Sequence, residues 1–239
     1  MEIIYIFFIT ILASMLGTMT GFGTSTVMIP ILVLWLPPVE TIFLVSIVHW
    51  FGNIWKVVLF KSGIHLKLIL LFGASGLIAS YLGAAITLEA GQVILLRVLG
   101  GFLVAYSLFL LLQQNFKIPA TNSTALGGGA LSGFFAGMFG IGGAIRSMFL
   151  TAFDLPKAVY IATAGAIGLL VDSTRIVTYV AGGTELSQRL WLGLLLFIPA
   201  SFLGAQLAKR IVDRIPQSKF RWVVVTFLFA VGVKLIFWP

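Results

Sequence analysis

The strongest constraint on the fold of this chain is that its pattern is written twice. A shift of 119 residues carries Gly21 onto Gly140, Pro37 onto Pro156, Met19 onto Met138, Ile42 onto Ile161, Asn53 onto Asp172, Lys56 onto Arg175, Val58 onto Val177 and Gly63 onto Gly182, with no gap. Each copy opens on an apolar segment interrupted by glycines: Gly21-Phe22-Gly23 ahead of Leu36-Pro37, and Gly140-Ile141-Gly142-Gly143 ahead of Leu155-Pro156. A match that keeps register over this length marks an internal duplication. It divides the chain into a first repeat, 1–116, and a second, 117–239, within one membrane domain. Further on, Ser80-Tyr81-Leu82-Gly83-Ala84 resembles Ser201-Phe202-Leu203-Gly204-Ala205. Glycines and alanines four apart (Gly129, Gly133 and Gly137; Ala79 and Gly83; Ala200 and Gly204) read as surfaces where helices pack closely.

The surroundings of these segments are lipid-like. Hydrophobic residues make up 60% of the 239 and charged ones 9%, a balance from which no soluble surface can be built. The formal charge of +8 does not point to nucleic acid, because the basic residues stand singly or in short loops between apolar spans. With no cysteine there is no disulfide framework and no thiolate site. The first apolar run, Ile3 to Leu16, follows Glu2 rather than a basic stretch, so it reads as part of the fold and not as a signal peptide.

Crossing about 30 Å of hydrocarbon takes roughly 20 apolar residues. Residues 3–36 are too many for one helix and too few for two, so the glycines predict two half-helices meeting inside the bilayer as a re-entrant hairpin. Such backbone is tolerated only where protein or a cavity surrounds it. Helices are expected over 39–60, 66–88 and 93–112, with 113–124 as a linker. The second repeat predicts a broken segment over 125–153 and helices near 157–180, 190–208 and 222–238. The expected architecture is an all-α polytopic membrane protein of two inverted repeats, each a broken re-entrant hairpin plus three transmembrane helices.

Counting basic residues supports the hairpins. With them, Lys61, Lys67, Lys117, Lys157, Lys209, Arg210, Arg214, Lys219 and Arg221 share one face, against Arg97 and Arg189 on the other. If the broken segments cross instead, the division falls to seven against four. By the positive-inside rule the first arrangement wins, and it places both termini outside the cytoplasmic membrane.

Few charges lie inside the spans: Lys56, Arg146, Arg175 and Lys234, against a single acid, Asp172. An intramembrane charge costs about 2.5 to 3.5 kcal/mol on insertion scales, and so faces a cavity or a partner. The excess of cations favours an anionic ligand. The half-helices beginning near Thr24 and Ala144 add free N–H groups and a positive dipole end. Candidate substrate-binding residues are therefore Gly21, Gly23, Thr24, Ser25, Asn53, Lys56, Gly140, Gly142, Gly143, Arg146, Asp172 and Arg175. Lys56 and Arg175 are expected as lures at opposite ends of the path. His49, Asn53 and Lys56 share one helical face, and His49 is the candidate for proton coupling. Structural roles compete: Lys56 and Lys234 can snorkel, Arg175 can pair with Asp172, and His49 can serve in packing alone.

The glycine pattern Gly21-Phe22-Gly23-Thr24, with Gly137-Met138-Phe139-Gly140-Ile141-Gly142-Gly143 and the Leu-Pro after each break, resembles the sulfite exporter TauE/SafE family of membrane permeases over nearly the whole chain. The resemblance implies outward transport of small sulfur-containing anions such as sulfite or organosulfonates. Rival classes have less support. A divalent metal-ion permease calls for clustered His, Cys or carboxylate ligands, whereas His49 and His65 are separated and Asp172 stands alone. An intramembrane enzyme calls for a nucleophile with its base, which neither Ser25 nor Ser173 has. No P-loop is present. The chain is thus expected to be a secondary transporter without enzymatic activity or cofactor. Its partners would be a small anion and the bilayer, and the sequence leaves open a homo-oligomer.

Overall fold

The computed structural model describes residues 2–20, 22–60, 63–112, 118–211 and 217–239, excepting the side chains of Thr20 and of 217–224. Gly21, Lys61, Ser62, Lys117 and Arg214 therefore lie outside the described residues, as do the side chains of Lys219 and Arg221. The regular structure described is helical: α1 (Glu2–Thr20), α2 (Thr24–Leu32), α3 (Pro38–Leu59), α4 (Leu66–Glu89), α5 (Gln92–Leu112), α6 (Asn122–Phe139), α7 (Gly142–Leu150), α8 (Lys157–Ala181), α9 (Gln188–Ile211) and α10 (Gln217–Phe237). Among the described residues six of these, α1, α3, α4, α5, α8 and α9, are long and apolar enough to cross a membrane.

Local chemistry sets the boundaries. Pro38 opens α3 at the position where a missing N–H costs nothing, and Pro156 stands just ahead of α8. The Thr121 side chain accepts from Thr124 N to cap α6, and His65 caps α4 by accepting from Leu68 N. Gly140, left-handed at φ 71°, closes α6. The end of the expected linker, Asn122 to Thr124, thus forms the first turn of α6.

The breaks are off-centre rather than central. No breaker precedes Gly21 strongly enough to end α1, which runs 19 residues, about 28 Å, while α2 has only nine. The second repeat matches it, with 18 residues in α6 and nine in α7. After its break the chain doubles back. Gly17 lies so close to Gly23 and Thr24 that a side chain there would overlap their backbone, and Thr10 Oγ1 donates to Met28 Sδ at 3.8 Å.

The two repeats interlock. α1 packs on α9 and α6 on α4, so each long broken arm lies against the other repeat. Counterpart helices pair with each other. Asn53 meets Gly168 and Asp172, Lys56 meets Gly165, and Phe60 meets Ile161, so α3 and α8 run antiparallel. Gly100 against Ile236 and Gly232 against Val104 make α5 and α10 antiparallel as well. The α4–α6 seam is the tightest: a side chain on Gly133 would overlap the Gly76 backbone, and one on Gly137 the Ser80 carbonyl. Lipid offers no hydrophobic drive for helix pairing, so such close contact supplies the attraction.

Polarity runs from inside to outside. Leu70, Ile78, Val177 and Leu195 face outward, while Lys56, Arg146, Asp172 and Arg175 are buried. That distribution suits a hydrocarbon solvent.

Candidate functional site

Both breaks arrive at one place. Gly143 sits against the Phe22 carbonyl, where any side chain would overlap it, and Gly140 sits against Ile29 and Arg175 Nη1. Gly142 packs against Ser132 and Ala136 of its own hairpin. Gly23, at φ 85°, lies against His49 Nε2, and any side chain there would be strained as well as blocked.

A break among buried helices exposes backbone groups, which must find partners. At the end of α6, besides the backbone bond from Gly140 N to Ala136 O at 2.8 Å, some come from other helices: Arg175 Nη1 donates to Ala136 O at 3.2 Å, Tyr179 Oη to Gly137 O at 2.8 Å and Thr87 Oγ1 to Met138 O at 2.7 Å. Near the first break, Gly23 N donates to Gly17 O at 3.1 Å and Thr26 Oγ1 to Phe22 O at 2.7 Å. Sequence reasoning missed Tyr179 and Thr87. Neither carries a charge or a spacing that would mark it.

Beside the breaks runs a chain of polar contacts. Lys56 Nζ donates to Asn53 Oδ1 at 3.0 Å, Asn53 Nδ2 donates to Asp172 Oδ2 at 2.8 Å, and Asp172 Oδ1 pairs with Arg175 Nη2 at 2.9 Å. The chain follows the repeat: Asn53 and Asp172 are counterparts that meet, and Lys56 and Arg175 are counterparts three residues beyond each. His49 Nδ1 joins it at 2.8 Å from Asp172 Oδ2. Lys56 and Arg175 thus end one short polar chain in the interior, rather than standing at the two mouths of a path. Lys56 does not snorkel, being 4% exposed, whereas Lys234 is exposed. The i, i+3 pairing of Arg175 with Asp172 is present, and the Arg175 guanidinium also reaches the α6 terminus.

Arg146, on α7, is buried with no hydrogen-bond partner at Nε, and its charge acts on Lys56, Asp172 and Arg175. Thr24 Oγ1, Ser25 Oγ and His49 Nε2 are likewise buried and unpartnered. Buried polar groups without partners are uncommon, and several together mark a place where a further group belongs. Three cations, Lys56, Arg146 and Arg175, against one carboxylate, Asp172, leave a formal charge of +2 on this cluster. A cation would find the wrong sign here, and among the described residues no three of His, Asp and Glu gather as metal ligands. The arrangement can neutralise an anion with fixed charges, hydroxyls and helix N-termini. Its side chains are buried, and a groove of about 640 Å³ between α4 and α8 is lined by other residues, among them Tyr81, Leu88, Ser173 and Thr178.

Among curated proteins, none matches this chain. The family model described as sulfite exporter TauE/SafE matches residues 6–235, all but the two ends. With its helices, its duplicated breaks and that match, the chain belongs to the sulfite exporter TauE/SafE family of membrane transport proteins.

Proposed function

We propose that this protein is a secondary transporter that exports small sulfur-containing anions, such as sulfite or organosulfonates, across the cytoplasmic membrane. The observation that carries this reading is the buried cluster of Lys56, Arg146, Arg175 and Asp172, with its formal charge of +2 beside two helix breaks. An uncompensated charge in a membrane interior is costly, and an anion that sits there relieves it. Thr24 and Ser25 donate to the anion from the start of α2, and the close packing at Gly23, Gly140, Gly142 and Gly143 brings the two breaks together beside it.

The repeats are inverted in the membrane, and the two breaks are hairpin tips that enter from opposite faces. Antiparallel packing of α3 on α8 and of α5 on α10 supports this, since a two-fold axis relating antiparallel counterparts lies across the helices. Basic loops on the inner face put both termini outside. Rocking of one repeat against the other opens the buried site to each side in turn. An inside-negative potential favours anion exit by about 2.3 kcal/mol per charge per 100 mV, which suffices for export without ATP.

The test is thermal stability of purified protein with sulfite, methanesulfonate, Mg²⁺ or Zn²⁺. A ligand at 100 times its Kd adds about 2.7 kcal/mol. Stabilisation by an anion, reduced to about half in Lys56→Ala, supports the reading. Stabilisation by a divalent cation alone overturns it in favour of a metal permease.

A further inference from the structure

His49 is the buried imidazole of the interior, and its two nitrogens face different surroundings. Nδ1 lies 2.8 Å from Asp172 Oδ2, the same oxygen that accepts from Asn53 Nδ2. Asp172 is also paired with Arg175, so the carboxylate is ionised and can only accept. Nδ1 therefore carries the ring hydrogen, and in the neutral imidazole Nε2 is a bare lone pair. That lone pair is buried and unpartnered, and it points at Gly23, where the first break turns. The unpartnered hydroxyls of Thr24 and Ser25 follow immediately on the chain.

A bare lone pair repels an anion. The same nitrogen with a proton attracts it and donates a hydrogen bond. We infer that His49, held in one orientation by Asp172, links proton binding to anion binding: Nε2 takes up a proton as the anion enters between the two breaks and releases it as the anion leaves. This inference rests on the anion reading above. In the step one N–H bond forms between a solvent proton and the Nε2 lone pair, the Nδ1–H bond to Asp172 stays, and no electrons change hands. The site gains one proton for each anion. A dianion accompanied by one proton still crosses with a net negative charge that the membrane potential drives outward, whereas a monoanion crosses without net charge and leaves down its own concentration gradient.

The arrangement is specific to one repeat, because the counterpart of His49 is Gly168, pressed against the Asn53 amide. The charges that act on the ring come from α8, as Asp172 and Arg175, and from Lys56 on α3 itself. α2 brings Gly23 and Thr24. Among the described residues α1, α5 and α9, which also pack on α3, bring no charge to it.

The experiment compares wild type with His49→Gln and Asp172→Asn, each purified, titrated with sulfite and with methanesulfonate at pH 5.5 and pH 8. Any titration of the anion itself is common to all three proteins and cancels in the comparison. The expected result is an affinity about tenfold tighter at the lower pH in wild type, beyond the change seen in His49→Gln. Asp172→Asn, which removes the orienting carboxylate, loses the same component. An equal pH dependence in wild type and His49→Gln overturns the inference. Should the variants fail to fold, wild type in vesicles loaded with a pH dye decides with methanesulfonate, which does not titrate in this range: flux that moves protons supports it, and flux without proton movement overturns it. Absence of binding by either anion in wild type at both pH values overturns the anion reading, and this inference with it.

Discussion

The two breaks occupy equivalent places in a duplicated chain and offer different chemistry. At the first, Gly23-Thr24-Ser25-Thr26 presents hydroxyls at the start of a nine-residue helix. At the second, the counterpart residues Gly142-Gly143-Ala144-Ile145 present none, and the next residue, Arg146, is a guanidinium where the first repeat has Val27. The end of α6 is tied by its own backbone and by side chains of Arg175, Tyr179 and Thr87. The two breaks thus bring two short-helix N-termini together, and the residues that differ between them set the chemistry of each. One break carries hydroxyls, and the other carries the charge.

Changes at the turn itself should have the largest effect. Gly23→Leu forces a side chain onto a left-handed backbone and into His49, and Gly142→Leu drives one into the Ser132 carbonyl. Anion flux into vesicles should fall to background in both; full activity in either would show that the breaks do not form the site. Next comes Arg175→Ala, which leaves Asp172 and the end of α6 each short of a partner. We expect a loss of about 3 to 5 kcal/mol in thermal unfolding, together with weaker anion binding, and partial recovery of stability in the Asp172→Asn/Arg175→Ala double variant. No recovery would mean that the ion pair is not what holds the second break.

Smaller effects separate the two sides of the site. Arg146→Met and Lys56→Ala should each weaken anion binding by about tenfold, or ~1.4 kcal/mol, without unfolding the protein. Titration by calorimetry checks this, and unchanged affinity in both would return these residues to structural roles. The smallest changes are expected from Thr24→Val and Ser25→Ala, at about threefold each, as for the loss of one hydrogen bond of moderate net strength. Ala144→Ser, the reciprocal change at the second break, should tighten binding slightly or leave it unchanged. A loss there as large as that of Ser25→Ala would erase the contrast between the breaks.

Much of the frame could be read before the structure. The apolar spans of Pro38–Leu59, Leu66–Glu89 and Gln92–Leu112 lie within about two residues of their expected positions, because lipid demands long uninterrupted apolar helices and prolines mark their starts. Where α1 ends was harder. Gly17 is tolerated inside a helix that packs against the returning chain, so composition alone suggested a break nearer the middle. The charges were found by their rarity, but their company was not. Lys56 read equally well as a snorkelling residue or as a lure, and it lies at the end of an interior polar chain. Tyr179 and Thr87 gave no signal, since a tyrosine or threonine in an apolar helix is unremarkable until a carbonyl is found opposite it.

By itself the sequence pointed to a repeated pattern, the membrane setting, the rough limits of α3, α4, α5, α8 and α9 and the excess of cations within apolar spans, because each follows from composition and spacing along the chain. Tertiary structure decided which of those residues meet. Asn53 and Asp172 are 119 positions apart and touch only because α3 and α8 pair in antiparallel order. His49 turns one nitrogen to Asp172 and the other to Gly23 only because α2 folds back beside α3. Contacts of that kind depend on how helices cross in three dimensions, and no local pattern of residues encodes the crossing.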